Sequence, residues 1–384
     1  MAEKLERTWD EQRCKQARVV TFQNQMKRHN IAAFLLGGHV GARWTLGVPV
    51  PSVDVFVPPE GEVVGFVRQR DIEYVRMHHA NLRLPLYEKE AGDTLDKNDR
   101  WAVAVADMME EYGVAGETLG VEEASPGLML ALLRRGVHVV DAADVFEQAM
   151  AIKNDDEIMM YREIIDQYAR TMRVFQEAAV PGTTETALAG VVETTWHDVG
   201  GEDISQLNVC SGENMNPWRR WPTTRVLKSG ELVGIDLHAR GATGMRGDIS
   251  RTYSVGDRPT PEQRALYREA YEYVQATIPI LKAGRTFSEI AQAAPPVPAA
   301  YQKQQFSYSI AHGVGMGFPG HPHVEPHDRD SDSVLEPNQI LAIECHFGKE
   351  GSALAVKLED MILVREGEPE LLTKDLGFDD RLLS

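Results

Sequence analysis

The chain has 384 residues, 43% of them hydrophobic and 26% charged, a composition typical of a globular protein long enough for two domains. Its net charge of −18 disfavours binding to nucleic acid or to an anionic membrane surface. No apolar run approaches the roughly 20 residues that span a bilayer, and the polar start MAEKLERTWDEQRC lacks the apolar core of a signal peptide. The three cysteines show no CxxC spacing, which fits a reducing compartment. We therefore expect a cytoplasmic protein without nucleic-acid or membrane partners.

The first 150 residues alternate short apolar runs with helical patterns. The runs predict strands at 31–38, 53–59, 62–67, 81–87, 118–123 and 137–142, and the helical patterns cover 9–28, 94–113 and 127–135. Such alternation is typical of an α/β layer architecture. Titratable residues form no catalytic pattern in this region.

The pattern changes near residue 150. A long amphipathic helix is predicted over 154–179, and Pro181-Gly182 ends it. Thr184 begins another helix, with Glu185 in its first turn. Strand and helix patterns then alternate again from residue 205. We therefore predict two domains, residues 1–150 and residues 151–384.

Two acidic residues flank a predicted hairpin turn in the segment ELVGIDLHARGATGMRGDISRTYSVG. Asp236 and Asp248 are equidistant from Ala242, so we expect them to face each other, with Cβ atoms roughly 5 Å apart. His238 lies on the face of Asp236 and is expected to oppose Arg246. Two carboxylates so close repel each other unless a cation lies between them. Solvent-exposed acids beside a turn are the simpler alternative.

A second hairpin repeats this arrangement in LAIECHFGKEGSALAVKLEDMILV. Glu344 and Glu359 are symmetric about its turn near Gly351-Ser352, and both interrupt apolar strands, where an unpaired carboxylate is costly. Asp360 points to the opposite face, so the symmetry selects Glu359. The repetition favours a cation site over two exposed turns.

His312 lies between the two hairpins, in SYSIAHGVGMGFPGHPHVEPH, before a glycine-rich loop. Four carboxylates and one imidazole form an oxygen-rich set that suits Fe, Mn or Co, with Zn also compatible. Bridging carboxylates allow two ions about 3.5–4 Å apart. We predict one metal site, holding one or two ions, whose ligands are Asp236, Asp248, His312, Glu344 and Glu359.

In this order, these five residues resemble the ligands of the pita-bread superfamily, which contains methionine aminopeptidase, prolidase, aminopeptidase P and creatinase. The phrases GIDLHARGATGMRGDISRTYSVG, HGVGMGF and KLED are similar to its signatures over residues 150–384, and residues 1–150 resemble its creatinase-like N-terminal domain in architecture. The resemblance implies a curved antiparallel sheet with pseudo-twofold helices (an α+β pita-bread domain), a small-molecule substrate and a homodimer.

Several details resemble the dimethylsulfoniopropionate (DMSP) lyase branch more than the peptidases. The two aspartates are twelve residues apart and the two glutamates fifteen, against the peptidases' usual eleven and frequent fourteen. NMNPWRRW (214–221) and YQKQQF (301–306) also look like that branch. At strict spacing, Trp218 and Pro319 stand where the peptidases carry two further histidines, although His323 remains open as a displaced counterpart of the second.

The resemblance to the lyases is incomplete. Phe318 stands where that branch has an acidic residue proposed as the base, and His238 stands where it has a sixth, aspartate ligand. His321 and His323 are candidates for the missing acid–base group, with exposed loop residues as the alternative. His238 is a third candidate for a catalytic role, as a ligand or beside one.

Three functions remain open on the sequence. The first is β-elimination from a small zwitterion, with Trp218 and Phe318 assigned to substrate binding and Trp218 or Trp221 holding a cationic group by cation–π attraction. Core packing is the alternative for both tryptophans and is favoured for Trp221. The second is hydrolysis of a C–N bond by a metal-activated water, as in an Xaa-Pro dipeptidase, an aminopeptidase or creatinase. The third, a binding module without catalysis, does not explain five retained polar ligands.

Overall fold

The computed structural model describes residues 9–47, 53–67, 69–79, 81–84, 95–304, 309–317, 320–328 and 331–384. Contacts divide the chain into two compact units, one of residues 1–150 with 154–156 and one of residues 151–153 with 157–384. Among the described residues, no helix has the length and apolar content needed to cross a bilayer.

The first unit is built on a five-stranded mixed sheet. Up to residue 151 the chain forms α1 (Glu11–Arg28), β1 (Ala33–Leu36), α2 (Gly38–Leu46), β2 (Asp54–Val57), β3 (Val64–Phe66), α3 (Ile72–His78), α4 (Lys97–Glu111), β4 (Thr118–Val121), α5 (Pro126–Arg134), β5 (His138–Asp141) and α6 (Ala143–Ala151). The strand order is β3-β2-β1-β4-β5, parallel from β1 to β5 and antiparallel from β1 to β3. This is the predicted α/β architecture. The run predicted as a strand at 81–87 makes an isolated bridge at Arg83, and its residues 85–87 lie outside the described part of the chain.

Alternating residues of this sheet pack on opposite sides. Ala33 and Leu35 of β1 belong to a core with α4 and α5. Phe34, between them, packs edge-on against Phe22 of α1, their ring centroids 4.8 Å apart, within an aromatic group that includes Phe146 of α6. Helices therefore cover both faces, as the continuous apolar runs of the strands require.

Glu122 is a largely buried acid at the end of β4. Burial raises its pKa from 4.5 to about 8, and the charges of Glu123, Glu147 and Asp54 add to the shift. Its Oε2 is buried and accepts no hydrogen bond from the described residues. Since the folded state binds this proton more tightly than the unfolded state, stability is greatest below the unfolded pKa and falls as pH rises through 4.5 toward 8.

We therefore expect Glu122→Gln to raise the free energy of unfolding by on the order of 2 kcal/mol at pH 9 and to change it little at pH 4. Thermal unfolding of both proteins at the two pH values measures the difference. Glu117→Gln, which removes an exposed acid just before β4, is the control. An equal effect of Glu122→Gln at both pH values contradicts this explanation.

The second unit contains two antiparallel sheets. From residue 155 the chain forms α7 (Asp155–Ala178), α8 (Glu185–Asp198), β6 (Gly201–Ser211), β7 (Leu232–Gly241), β8 (Arg246–Ser254), α9 (Pro261–Thr277), α10 (Phe287–Ala293), β9 (Ala311–Gly313), β10 (Gly320–Val324), β11 (Ile340–Gly348), β12 (Ala355–Leu363), β13 (Glu370–Leu371) and α11 (Asp380–Leu383). The sheet orders are β6-β7-β8 and β10-β9-β11-β12-β13. Strand β8 lies beside β12, where the Thr252 hydroxyl donates to the Lys357 carbonyl oxygen at 2.8 Å.

Helices cover one face of these sheets and leave the other to polar residues. On β7 the backbone N–H of Ala239 donates to the hydroxyl of Tyr168, a buried residue of α7. On β11, Ile343 and Cys345 belong to a core that includes Ala270 of α9. Because successive side chains of a strand point to opposite faces, Asp236, Glu344 and their neighbours two residues away point away from these helices.

The register of the second hairpin is as predicted, but that of the first is not. Glu344 lies directly opposite Glu359, which confirms the predicted pair. In the first hairpin, Asp236 opposes Ser250 and His238 opposes Asp248, so the predicted Asp236–Asp248 and His238–Arg246 pairs are wrong. The turn is centred on Thr243, one residue later than expected, and this moves each partner by two positions. An even shift leaves every side chain on its expected face.

Candidate metal centre

The polar face of the first sheet carries two rows of side chains. In one row Asp236 lies between Asn208 of β6 and Ser250 of β8: the Asn208 amide donates to Asp236 Oδ2 at 2.9 Å, and the Ser250 hydroxyl lies 3.0 Å from Asp236 Oδ1. In the next row His238 lies beside Asp248, with Nδ1 3.3 Å from Asp248 Oδ1. The histidine Nε2 is 3.2 Å from Asp236 Oδ1, so the imidazole lies between both aspartates.

The second sheet brings three further predicted ligands to the same place. His312 Nε2 lies 3.6 Å from Asp248 Oδ2, 3.7 Å from Glu344 Oε1 and 3.9 Å from Glu359 Oε1. The Ser250 hydroxyl also lies 2.8 Å from Glu359 Oε2, which joins the two sheets. All five predicted ligands therefore surround one small volume.

The ligand atoms form two overlapping groups. Asp236, His238 and Asp248 each offer an atom within 4.8 Å of the others, and so do Asp248, His312 and Glu359. Asp248 belongs to both groups. Glu344 belongs to neither group, and its Oε2 accepts from the Lys357 ammonium.

Lys357 is a buried cation that the sequence reasoning did not identify as part of the site. Besides Glu344, its Nζ lies 3.9 Å from Asp236 Oδ2 and 4.0 Å from Glu359 Oε2. Burial alone would lower its pKa, but the three carboxylates raise the pKa well above the ordinary value. Its position two residues before Glu359, on the same strand face, is the signal that could have found it.

The four carboxylates divide into two kinds. Burial raises the pKa of Asp248 well above its ordinary value, helped by the charges of Glu359 and Asp236. Burial also raises the pKa of Glu359, to about 7, against the charge of Lys357. Burial has the same tendency at Asp236 and Glu344, but Lys357 lowers both values, that of Glu344 to about 2. Lys357 thus compensates one side of the cluster and leaves Asp248 and Glu359 short of positive charge.

These residues fit a transition-metal ion. Asp248 Oδ1 and Glu359 Oε1 are buried and accept no hydrogen bond from the described residues, an arrangement that is costly without a cation. Carboxylate oxygens with one or two imidazoles suit Mn, Fe, Co or Zn. Asp248, which belongs to both groups, would be their common ligand.

Trp218 lies beside the row of side chains that contains Asp236, over the residue two positions before it on β7. Its ring packs over Gly234, where an added Cβ would lie 2.9 Å from the indole, and its centroid is 5.6 Å from that of His346. Gly234 precedes Asp236 by two residues and His346 follows Glu344 by two, so both share the faces of those carboxylates. Trp221 is 71% exposed, so the prediction that it packs in the core was wrong. Trp221 lies beyond the part of the loop that packs on the sheet.

The remaining predicted site residues lie on or near β10. His323 is exposed and opposite His312 in the strand register, with ring centroids 6.3 Å apart. Burial of part of its ring and the neighbouring His312 lower its pKa. His321 lies two residues earlier, its carbonyl packed against Gly313. Phe318 and Pro319 lie outside the described residues.

Comparisons with known proteins agree with this architecture. Residues 159–366 match metallopeptidase family M24, and residues 18–149 match the creatinase/prolidase N-terminal domain. The chain is similar to dimethylsulfoniopropionate lyase DddP of Roseovarius nubinhibens, at 28% identity over 309 residues, covering 78% of this chain and 69% of that protein. It is also similar to the Xaa-Pro dipeptidase of Pyrococcus horikoshii, at 26% identity over 276 residues, covering 69% and 76%.

A solved structure shows the same fold. The prolidase from Pyrococcus horikoshii OT3 aligns with a TM-score of 0.78 and 22% identity over 93% of this chain and 98% of that one. The family match spans more than half of the chain and includes every predicted metal ligand. The chain therefore belongs to metallopeptidase family M24, with a creatinase/prolidase N-terminal domain, and is a metal-dependent enzyme of the pita-bread superfamily.

Proposed function

We propose that this enzyme cleaves a small zwitterionic substrate by β-elimination, as a DMSP lyase does. The observation that carries the proposal is the indole of Trp218 beside the ligand row, at a position where the resemblance places a histidine in the peptidases. An aromatic face stabilises an onium group, by about 2 kcal/mol when desolvated. The Trp218 Nε1–H is buried and donates to none of the described residues.

The five predicted ligands are proposed to hold the metal, and His238 to act as a further ligand. His238 has a ring nitrogen near each aspartate, and Gln206 Nε2 lies 3.3 Å from its Nε2. A divalent ion bound there supplies Lewis-acid stabilisation of charge on a substrate carboxylate. We further propose that the enzyme binds one or two metal ions, acts on a small molecule, and is a homodimer in the cytoplasm.

His323 is proposed as the base, because it lies opposite His312 and its lowered pKa keeps the imidazole neutral and able to accept a proton near pH 7. For DMSP, the base takes the proton next to the carboxylate and the C–H electron pair forms the C=C bond. The C–S bond breaks, and its electron pair leaves on sulfur as neutral dimethyl sulfide. Acrylate remains, and His323 holds the proton until it passes to solvent. His321 is the alternative base.

The enzyme supplied with Mn²⁺, Fe²⁺, Co²⁺ or Zn²⁺ can be incubated separately with DMSP and with a panel of Xaa-Pro dipeptides. Headspace detection of dimethyl sulfide measures elimination, and amino-acid release measures hydrolysis. We expect dimethyl sulfide or elimination from a related zwitterion. Efficient dipeptide cleavage without activity on onium compounds would replace this proposal with the Xaa-Pro hydrolase, for which the dipeptidase relatives are the support.

Trp218→Ala is expected to raise KM for the zwitterion by about 10- to 30-fold while lowering kcat less, because about 2 kcal/mol of onium stabilisation is lost. Steady-state kinetics measure both constants. Trp221→Ala, in the same loop but 71% exposed, is the matched control and should leave them unchanged. Equal effects of the two substitutions count against a substrate role for Trp218.

A further inference from the structure

Glu185 is a fully buried acid in the first turn of α8. The helix start does not require it, since the Thr184 side chain already accepts from the Ala187 N–H at 3.1 Å. Burying a carboxylate is costly unless donors replace its water. Its contacts therefore show which part of the molecule it serves.

Among the described residues, the hydrogen bonds to the Glu185 carboxylate all come from the segment 211–223, called here the Trp218 loop. At the start of the loop, Ser211 donates to Oε1 from its backbone N–H and from its hydroxyl, both at 2.7 Å. At the end, Thr223 donates to Oε2 from its N–H at 2.9 Å and from its hydroxyl at 2.7 Å. The Asn214 amide lies between, 3.0 Å from Oε1 and 3.1 Å from Oε2. One carboxylate thus holds both ends of the loop together.

The same loop is attached to the β11–β12 hairpin on its other side. The Asn216 amide donates to the carbonyl oxygens of Lys349 and Ser352 at 2.8 and 2.7 Å. His346 Nε2 lies 2.9 Å from the Met215 carbonyl oxygen. Trp218 lies in the stretch between these attachments and the Thr223 end that Glu185 holds.

We propose that Glu185 is a positioning residue that sets the Trp218 indole against the metal-ligand row. This inference rests on the proposed function of Trp218 as a wall of the substrate pocket. Charge-assisted hydrogen bonds are the strongest that a loop can make. With the carboxylate intact, the loop is closed and the indole is held over Gly234; without it, the Thr223 end is released.

The test compares Glu185→Gln with Asp379→Asn. Glutamine keeps the shape but places an N–H₂ group against donors. Asp379 is a matched control, because it is also buried and accepts from the backbone N–H and the hydroxyl of Ser254, both at 2.7 Å.

Hydrogen exchange of the metal-loaded enzyme reports loop closure, and kinetics with DMSP report KM. We expect Glu185→Gln to speed exchange in residues 212–222 about tenfold or more and to raise KM several-fold with little change in kcat or metal content. Asp379→Asn should change neither loop exchange nor KM.

A double-mutant cycle with Trp218→Ala separates the possible failures. If Glu185 acts through Trp218, Glu185→Gln adds no further rise in KM in the Trp218→Ala background. Unchanged loop exchange in Glu185→Gln overturns the inference whatever the substrate is. A KM effect of Trp218→Ala without one of Glu185→Gln overturns the inference alone. Normal KM in Trp218→Ala overturns the substrate role of Trp218 and the inference with it.

Discussion

Replacing Asp248 with alanine is expected to abolish metal uptake and to lower turnover by more than about 100-fold. Removing a residue that only hydrogen-bonds to a metal ligand costs at most about 100-fold, and removing a ligand itself should cost more. The reason is its position: it belongs to both groups of candidate ligands, so its loss opens both. Metal content by mass spectrometry and kcat/KM measure the two effects. Asp203→Ala, which removes an exposed acid from strand β6 of the same sheet, should retain metal and activity.

The metal-free protein should respond in the opposite direction. Burial and neighbouring carboxylates disfavour the charged form of Asp248, so Asp248→Asn is expected to stabilise the protein in chelator by on the order of 1 kcal/mol. Thermal unfolding with and without chelator measures the change. Full metal occupancy in Asp248→Ala, or a marked loss of stability in metal-free Asp248→Asn, contradicts the role assigned to this residue.

Lys357→Met is expected to destabilise the metal-free protein by about 3–5 kcal/mol, the usual effect of removing one partner from a buried ion pair. Its ammonium lies among Glu344, Asp236 and Glu359, which would then lack compensation. A metal ion held at the proposed site would compensate the same carboxylates. Added metal should therefore raise the Tm of Lys357→Met more than that of the unmodified enzyme.

Unfolding with and without chelator gives the two shifts to compare. Lys303→Met is the control, since Lys303 pairs with Glu350 at the surface, and its metal-dependent shift should match the unmodified enzyme. If metal stabilises Lys357→Met and the unmodified enzyme equally, the ammonium and the metal do not compensate the same charges.

The predictable part of the site depended on strand periodicity rather than on register. Asp236 was paired with the wrong residue, yet it reached the site because a two-residue shift preserves the face. The turn centre was misplaced because Gly241 and Gly244 bracket two positions that both allow a turn. In the second hairpin a clear turn at Gly351 made the Glu344–Glu359 pair predictable as well.

Lys357 and Glu185 were not predictable as site residues in the same way. Lysine and glutamate side chains usually lie in solvent, and only the assembled sheets show that both of these are buried. Their partners lie far away in sequence or in a loop without periodicity. Glu185 contacts residues 211–223, and Lys357 contacts Asp236. Strand periodicity places Lys357 on the face of Glu359, but local patterns carry no information about its contact with Asp236 or about the partners of Glu185. The N-terminal sheet, by contrast, was predictable because each strand is a short apolar run between turn residues.

The ligands on two separate sheets also fix when the metal centre can form during protein synthesis. Asp236 and Asp248 emerge from the ribosome more than a hundred residues before Glu359, which the Ser250 hydroxyl links to Asp236. Until β9 has left the exit tunnel, the nascent chain presents Asp236, His238 and Asp248 of this set, on one hairpin. His312 and Glu344 follow, and Glu359 on β12 comes last. Contacts of such long sequence separation form late in folding. With the proposed ligand set, the complete metal centre can therefore form only after β12, the last long strand, has been translated.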